Sequence, residues 1–141
     1  MDDENAGFTD GTPWLAMNPN YRQINVREQE ARTDSVLAYY RRLVHLRKAD
    51  AYRETFTYGI FEPAYQEMAD VFAYYRVSGE SGQRILVAAN FGTDAVSLTL
   101  AYPCRQVLLS NLRAESAVET ACEKANALTL GSCEVAVIEL G

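Results

Sequence analysis

The sequence predicts a mainly β fold, an antiparallel β-sandwich that is preceded by a loop and one α-helix. Seven short runs rich in β-branched and aromatic residues, separated by turn residues, follow residue 52. Only one earlier stretch has the apolar spacing of a long helix. The chain has 141 residues, whereas a (β/α)8 barrel needs about 250, so a single small domain is expected.

The chain opens on a loop-like stretch, residues 5–21. Two glycines and two prolines in it exclude a long helix or strand. The same stretch carries apolar side chains, namely Phe8, Trp14, Leu15, Met17 and Tyr21. Since water solvates such groups poorly, the loop is expected to pack on a larger surface, or to support self-association where that surface is absent.

The predicted helix spans residues 35–48. Residues 22–33 before it are polar and suit a surface loop or one helical turn, and Thr33 and Asp34 offer oxygens for the helix N-cap. The apolar positions that define one helical face are Val36, Tyr39, Tyr40, Leu43 and Leu46. His45 falls on the opposite, basic face, so we interpret it as a surface residue rather than a catalytic base.

The predicted strands follow one another with short turns. They are residues 55–60, 71–77, 84–90, 95–100, 105–110, 127–130 and 133–140. Residues 85–89 are almost entirely apolar, which predicts a central strand covered on both faces. Residues 95–100 alternate apolar and polar side chains, which is typical of a half-buried strand. Residues 111–126 are predicted to form a long loop.

Composition and charge limit the classes of partner that the chain can bind. A formal net charge of −6 argues against nucleic-acid and anionic-membrane binding, because both depend on clustered Lys and Arg. No apolar run approaches the roughly 20 residues of a membrane span. Cys104, Cys122 and Cys133 are odd in number and lack metal-ligand spacing, which favours reduced thiols and a cytoplasmic location. No cofactor is expected.

The sequence offers no catalytic set. A Ser-His-Asp arrangement, a phosphate loop and metal spacing are all missing, and the acidic start Asp2-Asp3-Glu4 is interpreted as a solvated terminus. A group of aromatic residues has two interpretations, core packing or a platform on which sugar rings stack. Its members are Tyr52, Phe56, Tyr58, Phe61 and Tyr65. We favour packing, and Tyr65, in a turn, is the candidate sugar contact to test first.

Several of these stretches resemble one family. Asn5-Ala-Gly-Phe-Thr9, followed by Pro13-Trp14 and Asn18-Pro-Asn-Tyr21, resembles the segment after the last barrel strand of α-amylase-clan α-glucosidases, the oligo-1,6-glucosidase, dextran glucosidase and sucrose isomerase group. Residues 35–48 resemble the last barrel helix of that group.

The sandwich carries the resemblance further. Val87-Ala-Ala-Asn-Phe-Gly92 is similar to the Ala-Asn-Phe-Ser turn of the family, and Leu108-Leu-Ser-Asn-Leu112 to its Leu-Leu-Ser-Asn-Tyr. The chain departs from the pattern at Ser132-Cys133-Glu134-Val135, where only Glu134 matches the Pro-aromatic-Glu-Ala of the family.

The resemblance implies the C-terminal part of a retaining α-glucosidase that acts on short α-glucosides such as isomalto- or malto-oligosaccharides. Residues 1–50 would be the post-barrel loop and last barrel helix, and residues 51–141 the C-terminal β-sandwich. The barrel before residue 1 would be the partner, would bind the oligosaccharide and would supply the catalytic carboxyl groups, so this chain alone is expected to be inactive. The alternatives are the tail of a sucrose isomerase or another glucosyl-transferring relative, and a free-standing carbohydrate-binding or scaffold sandwich.

Overall fold

The structure is a computed structural model that describes residues 4–113 and 126–141. Short 3-10 helices at Glu4–Gly7 and Pro19–Arg22 precede three helices, α1 (Val26–Glu30), α2 (Val36–Lys48) and α3 (Asp50–Tyr58). The described strands are β1 (Ile60–Ala64), β2 (Val71–Val77), β3 (Arg84–Asn90), β4 (Val96–Thr99), β5 (Cys104–Ser110), β6 (Ala127–Leu130) and β7 (Val135–Leu140). Most of the loop predicted at residues 111–126 lies outside the described residues.

The chain divides into two compact units, Met1–Val44 and His45–Gly141. In the first unit, polar side chains fix the short helices. Asn18 accepts a hydrogen bond from the backbone N–H of Asn20 at 3.2 Å, and Asn25 caps α1 by accepting from the N–H of Glu28 at 3.1 Å. Asn18 and Asn25 therefore satisfy free N–H groups at helix starts.

The predicted helix at residues 35–48 is confirmed as α2. Ser35 holds its start, because the hydroxyl donates to the carbonyl of Gln29 at 2.7 Å and accepts from the N–H of Ala38 at 3.1 Å. None of the residues of α2 is buried. Val36 and Tyr40, two of the five positions of the predicted apolar face, are exposed.

The strand predicted at residues 55–60 is wrong, because α3 continues to Tyr58 and the first strand begins at Ile60. The run Thr55-Phe-Thr-Tyr58 alternates like a strand, but Thr55 and Phe56 are buried together with half-buried Tyr52 three and four positions earlier. That is the spacing of one helical face, and burial on this face outweighs the β propensity of the individual residues.

The strands form two antiparallel sheets, which confirms the predicted fold class. Five strands pair in the order β1-β2-β3-β7-β5, and β4 pairs with β6. The two sheets share one core, to which the larger contributes Leu86, Ala88 and Ile138 and the smaller Leu98 and Leu128. Such sheet-on-sheet packing is a β-sandwich.

Two finer strand predictions are also confirmed. β3 lies between β2 and β7, as expected of a central strand, with Ile85 and Leu86 fully buried. In β4, Leu98 is 1% exposed whereas Ser97 and Thr99 face solvent, which is the predicted alternation.

The cysteine prediction is only partly right. Cys133 is a free, exposed thiol, as expected. Cys104 in β5 is disulfide-bonded, so the expectation of reduced thiols is wrong at this position. Among the described residues, no helix is long and apolar enough to cross a membrane.

Candidate functional site

Buried carboxyl groups are the side chains that could carry hydrolytic chemistry in this chain. Glycosidases use two carboxyl groups that flank the scissile bond, and one of them must hold a proton near neutral pH. In the described part of the chain, two glutamates are buried, Glu134 just before β7 and Glu139 near its end. Catalysis would require both a suitable separation between them and a raised proton affinity of one.

Glu134 is the acceptor of a closed polar network. Its carboxylate accepts from Arg113 Nε at 2.6 Å, from the hydroxyl of Ser110 at 2.8 Å and from the backbone N–H of Gly131 at 2.8 Å. Burial opposes ionisation of this group, but the hydrogen bonds from Arg113, Gly131 and Ser110 outweigh it and lower the pKa of Glu134. At neutral pH the carboxylate is therefore charged, and its oxygens are engaged in hydrogen bonds within the chain.

Glu139 has the same character on different partners. Its carboxylate accepts from Gln106 Nε2 at 2.7 Å, from Gln83 Nε2 at 3.1 Å and from the hydroxyl of Tyr52 at 3.4 Å. Burial again opposes ionisation, and the hydrogen bonds from Gln106, Gln83 and Tyr52, helped by the charge of Arg105, lower the pKa of Glu139. Neither glutamate can serve as the protonated acid.

Geometry leads to the same conclusion. Glu134 and Glu139 are five positions apart along an extended chain, a separation of about 16 Å. Because side chains alternate between the two faces of a strand, an odd number of positions also directs the two carboxylates to opposite faces. A retaining pair needs about 5–5.5 Å, and an inverting pair about 6.5–9.5 Å. No group of three or more His, Cys, Asp or Glu among the described residues could hold a metal ion either. These carboxylates hold the fold together and do not form a hydrolytic site.

Tyr65, the predicted sugar contact, is engaged within the sandwich. Its hydroxyl donates to the carbonyl of Thr99 at 2.8 Å, and its side chain packs against the core. Burial, together with neighbouring Tyr75, raises the pKa of the Tyr65 hydroxyl. These contacts favour the packing interpretation, and sugar contact stays an untested prediction.

The other aromatic candidates do not form one platform. Tyr52 and Phe56 lie on α3 with their ring centroids 6.5 Å apart and edge to face, and Phe56 is buried. Phe61 in β1 stacks at a tilt on Tyr74 of β2, with 4.8 Å between the centroids. Tyr58, at the end of α3, is exposed. The structure thus distributes these five residues over a helix, an edge strand and a turn.

The first unit carries exposed apolar surface. Trp14 is 92% and Phe8 81% exposed, whereas Tyr21 is half-buried. Farther along the same unit, a shallow depression of about 400 Å³ lies between α1 and the start of α2. Its lining consists of Ile24, Asn25, Val26, Gln29, Val36, Leu37 and Tyr40. Its lining contains no acid and no histidine, the side chains that most often carry acid–base catalysis.

Comparison with known families identifies this first part of the chain. Residues 1–59 match the family model of the alpha amylase catalytic domain. Over this segment, the chain matches the α-amylase family. The match ends just after α3, so the loop and the helices α1, α2 and α3 fall within it, and the described strands lie beyond it.

Individual relatives agree with this assignment. The chain is 38% identical to a glucan 1,6-alpha-glucosidase of Streptococcus pneumoniae over 116 residues, which are 82% of this chain and 21% of the relative. It is 40% identical over 94 residues to an oligo-1,6-glucosidase of Bacillus cereus, covering 66% of this chain and 16% of that protein. The chain therefore spans about a fifth of the length of the glycosidases that it resembles.

Solved structures match the whole fold. The isomaltulose synthase of Klebsiella sp. LX3 superimposes with a TM-score of 0.84 and 32% identity, covering 100% of this chain and 24% of that one. A trehalulose synthase of Pseudomonas mesoacidophila MX-45 matches with a TM-score of 0.83 and 30% identity, again over 100% of this chain and 24% of the other.

Sequence reasoning missed the role of Glu139. Its partner on α3, Tyr52, is 87 positions away in the sequence, so no local pattern joins the two. The available signal was the acid itself, which interrupts the otherwise apolar run of β7. A charged residue within a buried strand requires hydrogen-bonding partners, so Glu139 alone already implies a polar cluster.

Proposed function

We propose that this chain is the C-terminal part of a retaining α-glucosidase that acts on short α-glucosides such as isomalto- or malto-oligosaccharides. The observation that carries the proposal is the match to the glucan 1,6-alpha-glucosidase, which extends over 82% of this chain but only 21% of the relative. On this proposal the chain is a structural, non-catalytic part of the enzyme, and residues 1–50 and 51–141 are the end of the barrel and the terminal sandwich.

The exposed apolar surface supports this role. Trp14, Phe8 and the depression lined by Val26, Val36 and Tyr40 place apolar groups in water, which costs about 25 cal/mol for each Å² that could be buried. In the longer enzyme, the rest of the catalytic barrel would cover this surface. The exposed loop 5–21 would also drive self-association of the chain when that barrel is absent.

The reaction itself belongs to the rest of the enzyme. One carboxyl group would protonate the leaving oxygen, and another would attack the sugar to form a glucosyl-enzyme intermediate, which water then hydrolyses. Because Glu134 and Glu139 are ionised, occupied and far apart, this chain would contribute support and not a chemical step. We expect the enzyme in the cytoplasm. The disulfide-bonded Cys104 argues against this expectation, because disulfides are rare in a reducing compartment.

A second candidate is a sucrose isomerase or another glucosyl-transferring enzyme. The whole-chain match to isomaltulose synthase favours it, since that match covers 100% of this chain at 32% identity. A free-standing carbohydrate-binding or scaffold sandwich is a third candidate, and a longer reading frame that contains a barrel would exclude it.

The test uses the longer protein that contains this sequence. It is supplied in turn with isomaltose, maltose and sucrose, and the products are followed by NMR. A hydrolase releases glucose from isomaltose or maltose, with the α-anomer first if it is retaining. Conversion of sucrose into an isomeric disaccharide would identify the second candidate, and failure to act on any α-glucoside would contradict both.

A further inference from the structure

A polar cluster joins α3 to the five-stranded sheet. Glu139 lies opposite Ile85 of β3, in a strand that is otherwise apolar, and is only 9% exposed. From α3, the hydroxyl of Tyr52 donates directly to Glu139. Thr55 of α3 is linked to Glu139 through Gln83, which accepts from Thr55 and donates to Glu139. Gln106 of β5 completes the cluster.

The groups that contact Glu139 are oriented as donors by their own neighbours. The hydroxyl of Thr55 donates to Gln83 Oε1, which leaves the amide N–H₂ of Gln83 directed at Glu139 Oε1. The hydroxyl of Tyr52 accepts from Gln106 Nε2 at 3.0 Å, which leaves its own proton for Glu139 Oε2. The cluster therefore presents donors only, and it requires a group that accepts without donating, which is an ionised carboxylate.

We propose that the Glu139 carboxylate is an acid-sensitive latch, which fixes α3, and with it the end of the catalytic-domain segment, to the outer face of the five-stranded sheet. Protonation would place an O–H among groups that are themselves donors, so the contacts on the helix side are lost first. A second fastening does not depend on pH. Arg76 of β2 donates to the carbonyls of Thr55 and Phe56 at 3.4 and 3.2 Å, and these bonds do not involve the Glu139 carboxylate.

The direction of the pH effect follows from the groups around the latch. In the described part of the chain, the titratable or charged groups that interact with Glu139 are Tyr52 of α3 and Arg105 of β5. Because Glu139 ionises more readily in the folded chain than in the unfolded one, docking of α3 is fully stabilised above the ordinary glutamate pKa of about 4.3. This stabilisation is lost as the pH falls through the lower, folded value.

The experiment measures amide hydrogen exchange of the 141-residue chain, with rates corrected for the intrinsic effect of pH. The probes are the amides of Thr55 and Phe56 in α3, with those of Leu86 and Val87 in β3 as the reference. In Glu139→Gln at neutral pH, the α3 amides are expected to exchange about tenfold faster or more, as expected for hydrogen bonds to a charged group, while the β3 amides change much less. In acid, the α3 amides of the unchanged chain are expected to show the same selective acceleration of exchange. The variant has already lost the carboxylate, so acid should cause no further selective acceleration in it.

Two further variants complete the test. Glu62→Gln makes the same chemical change at an exposed carboxylate of β1 and is expected to leave the exchange of α3 unchanged. Tyr52→Phe removes only the hydroxyl on the helix side and serves if Glu139→Gln does not fold. Unchanged exchange of α3, or equal acceleration in α3 and β3, would overturn the latch, because the first means that no fastening was lost and the second that the whole sandwich was weakened.

Discussion

The hydroxyl of Tyr65 donates a 2.8 Å hydrogen bond to the backbone carbonyl of Thr99, and so joins the turn after β1 to the neighbouring strand of the smaller sheet. The backbone of Tyr65 adopts φ +53°, a conformation that costs a non-glycine residue energy. Packing of its ring against the core and the bond to Thr99 hold it there. Tyr65 is thus a connection between the two sheets of the sandwich.

The first prediction follows from this connection. Tyr65→Phe keeps the ring but removes the donor, so the free energy of unfolding should fall by about 1 kcal/mol, the typical net value of one hydrogen bond. Urea unfolding measures it, with Tyr58→Phe at an exposed position as the control. An NMR titration with isomaltose tests the sugar interpretation separately, because a contact would shift the ring resonances of Tyr65. A free energy of unfolding of Tyr65→Phe equal to that of the unchanged chain would contradict the structural role of the hydroxyl.

A second prediction concerns pH and Glu134. Its hydrogen bonds from Arg113, Gly131 and Ser110 favour the ionised form in the folded chain. The stabilisation is therefore complete above the ordinary carboxyl pKa of about 4.3 and is lost as the pH falls through the lower, folded pKa. Glu134→Gln should lower the free energy of unfolding by about 2 kcal/mol at pH 7 and by much less in strong acid.

The control for this prediction is Glu62→Gln, since Glu62 is exposed in β1. Urea unfolding of both variants across a pH series makes the comparison. An equal effect of Glu134→Gln at neutral and acid pH would mean that the side chain stabilises the sandwich by shape and not by charge.

The sequence predicted those parts of the fold whose signals are local. α2 has a helical apolar stripe, and the residues of β3 and β4 fit a strand pattern and no helical one. It failed at residues 55–60, where an alternating run also has helical spacing and tertiary burial of Phe56 decides between the two. The cluster around Glu139 could not be predicted, since Gln83, Gln106 and Tyr52 come together only after the sheet has formed.

The third prediction concerns the loop at residues 5–21. Trp14, at 92% exposed, should anchor self-association of the isolated chain, because large aromatic side chains dominate the energy of such contacts. Trp14→Ala should weaken association about tenfold or more, corresponding to the loss of at least about 1.4 kcal/mol. Sedimentation velocity over a concentration series measures it, with Phe91→Ala as the control at another exposed aromatic residue. Equal weakening by both variants would show that no particular contact is made by the loop.

The most direct test of the whole account is the turnover of p-nitrophenyl-α-glucoside and isomaltose by the purified 141-residue chain beside the longer protein that contains it. The account predicts no release of p-nitrophenol or glucose above the uncatalysed background from the chain, and ready release by the longer protein, because protonation of the leaving group and capture of the sugar need carboxyl groups that Glu134 and Glu139 cannot supply. Release by the chain that survives repurification and disappears on mutation of one of its own acids would contradict the account.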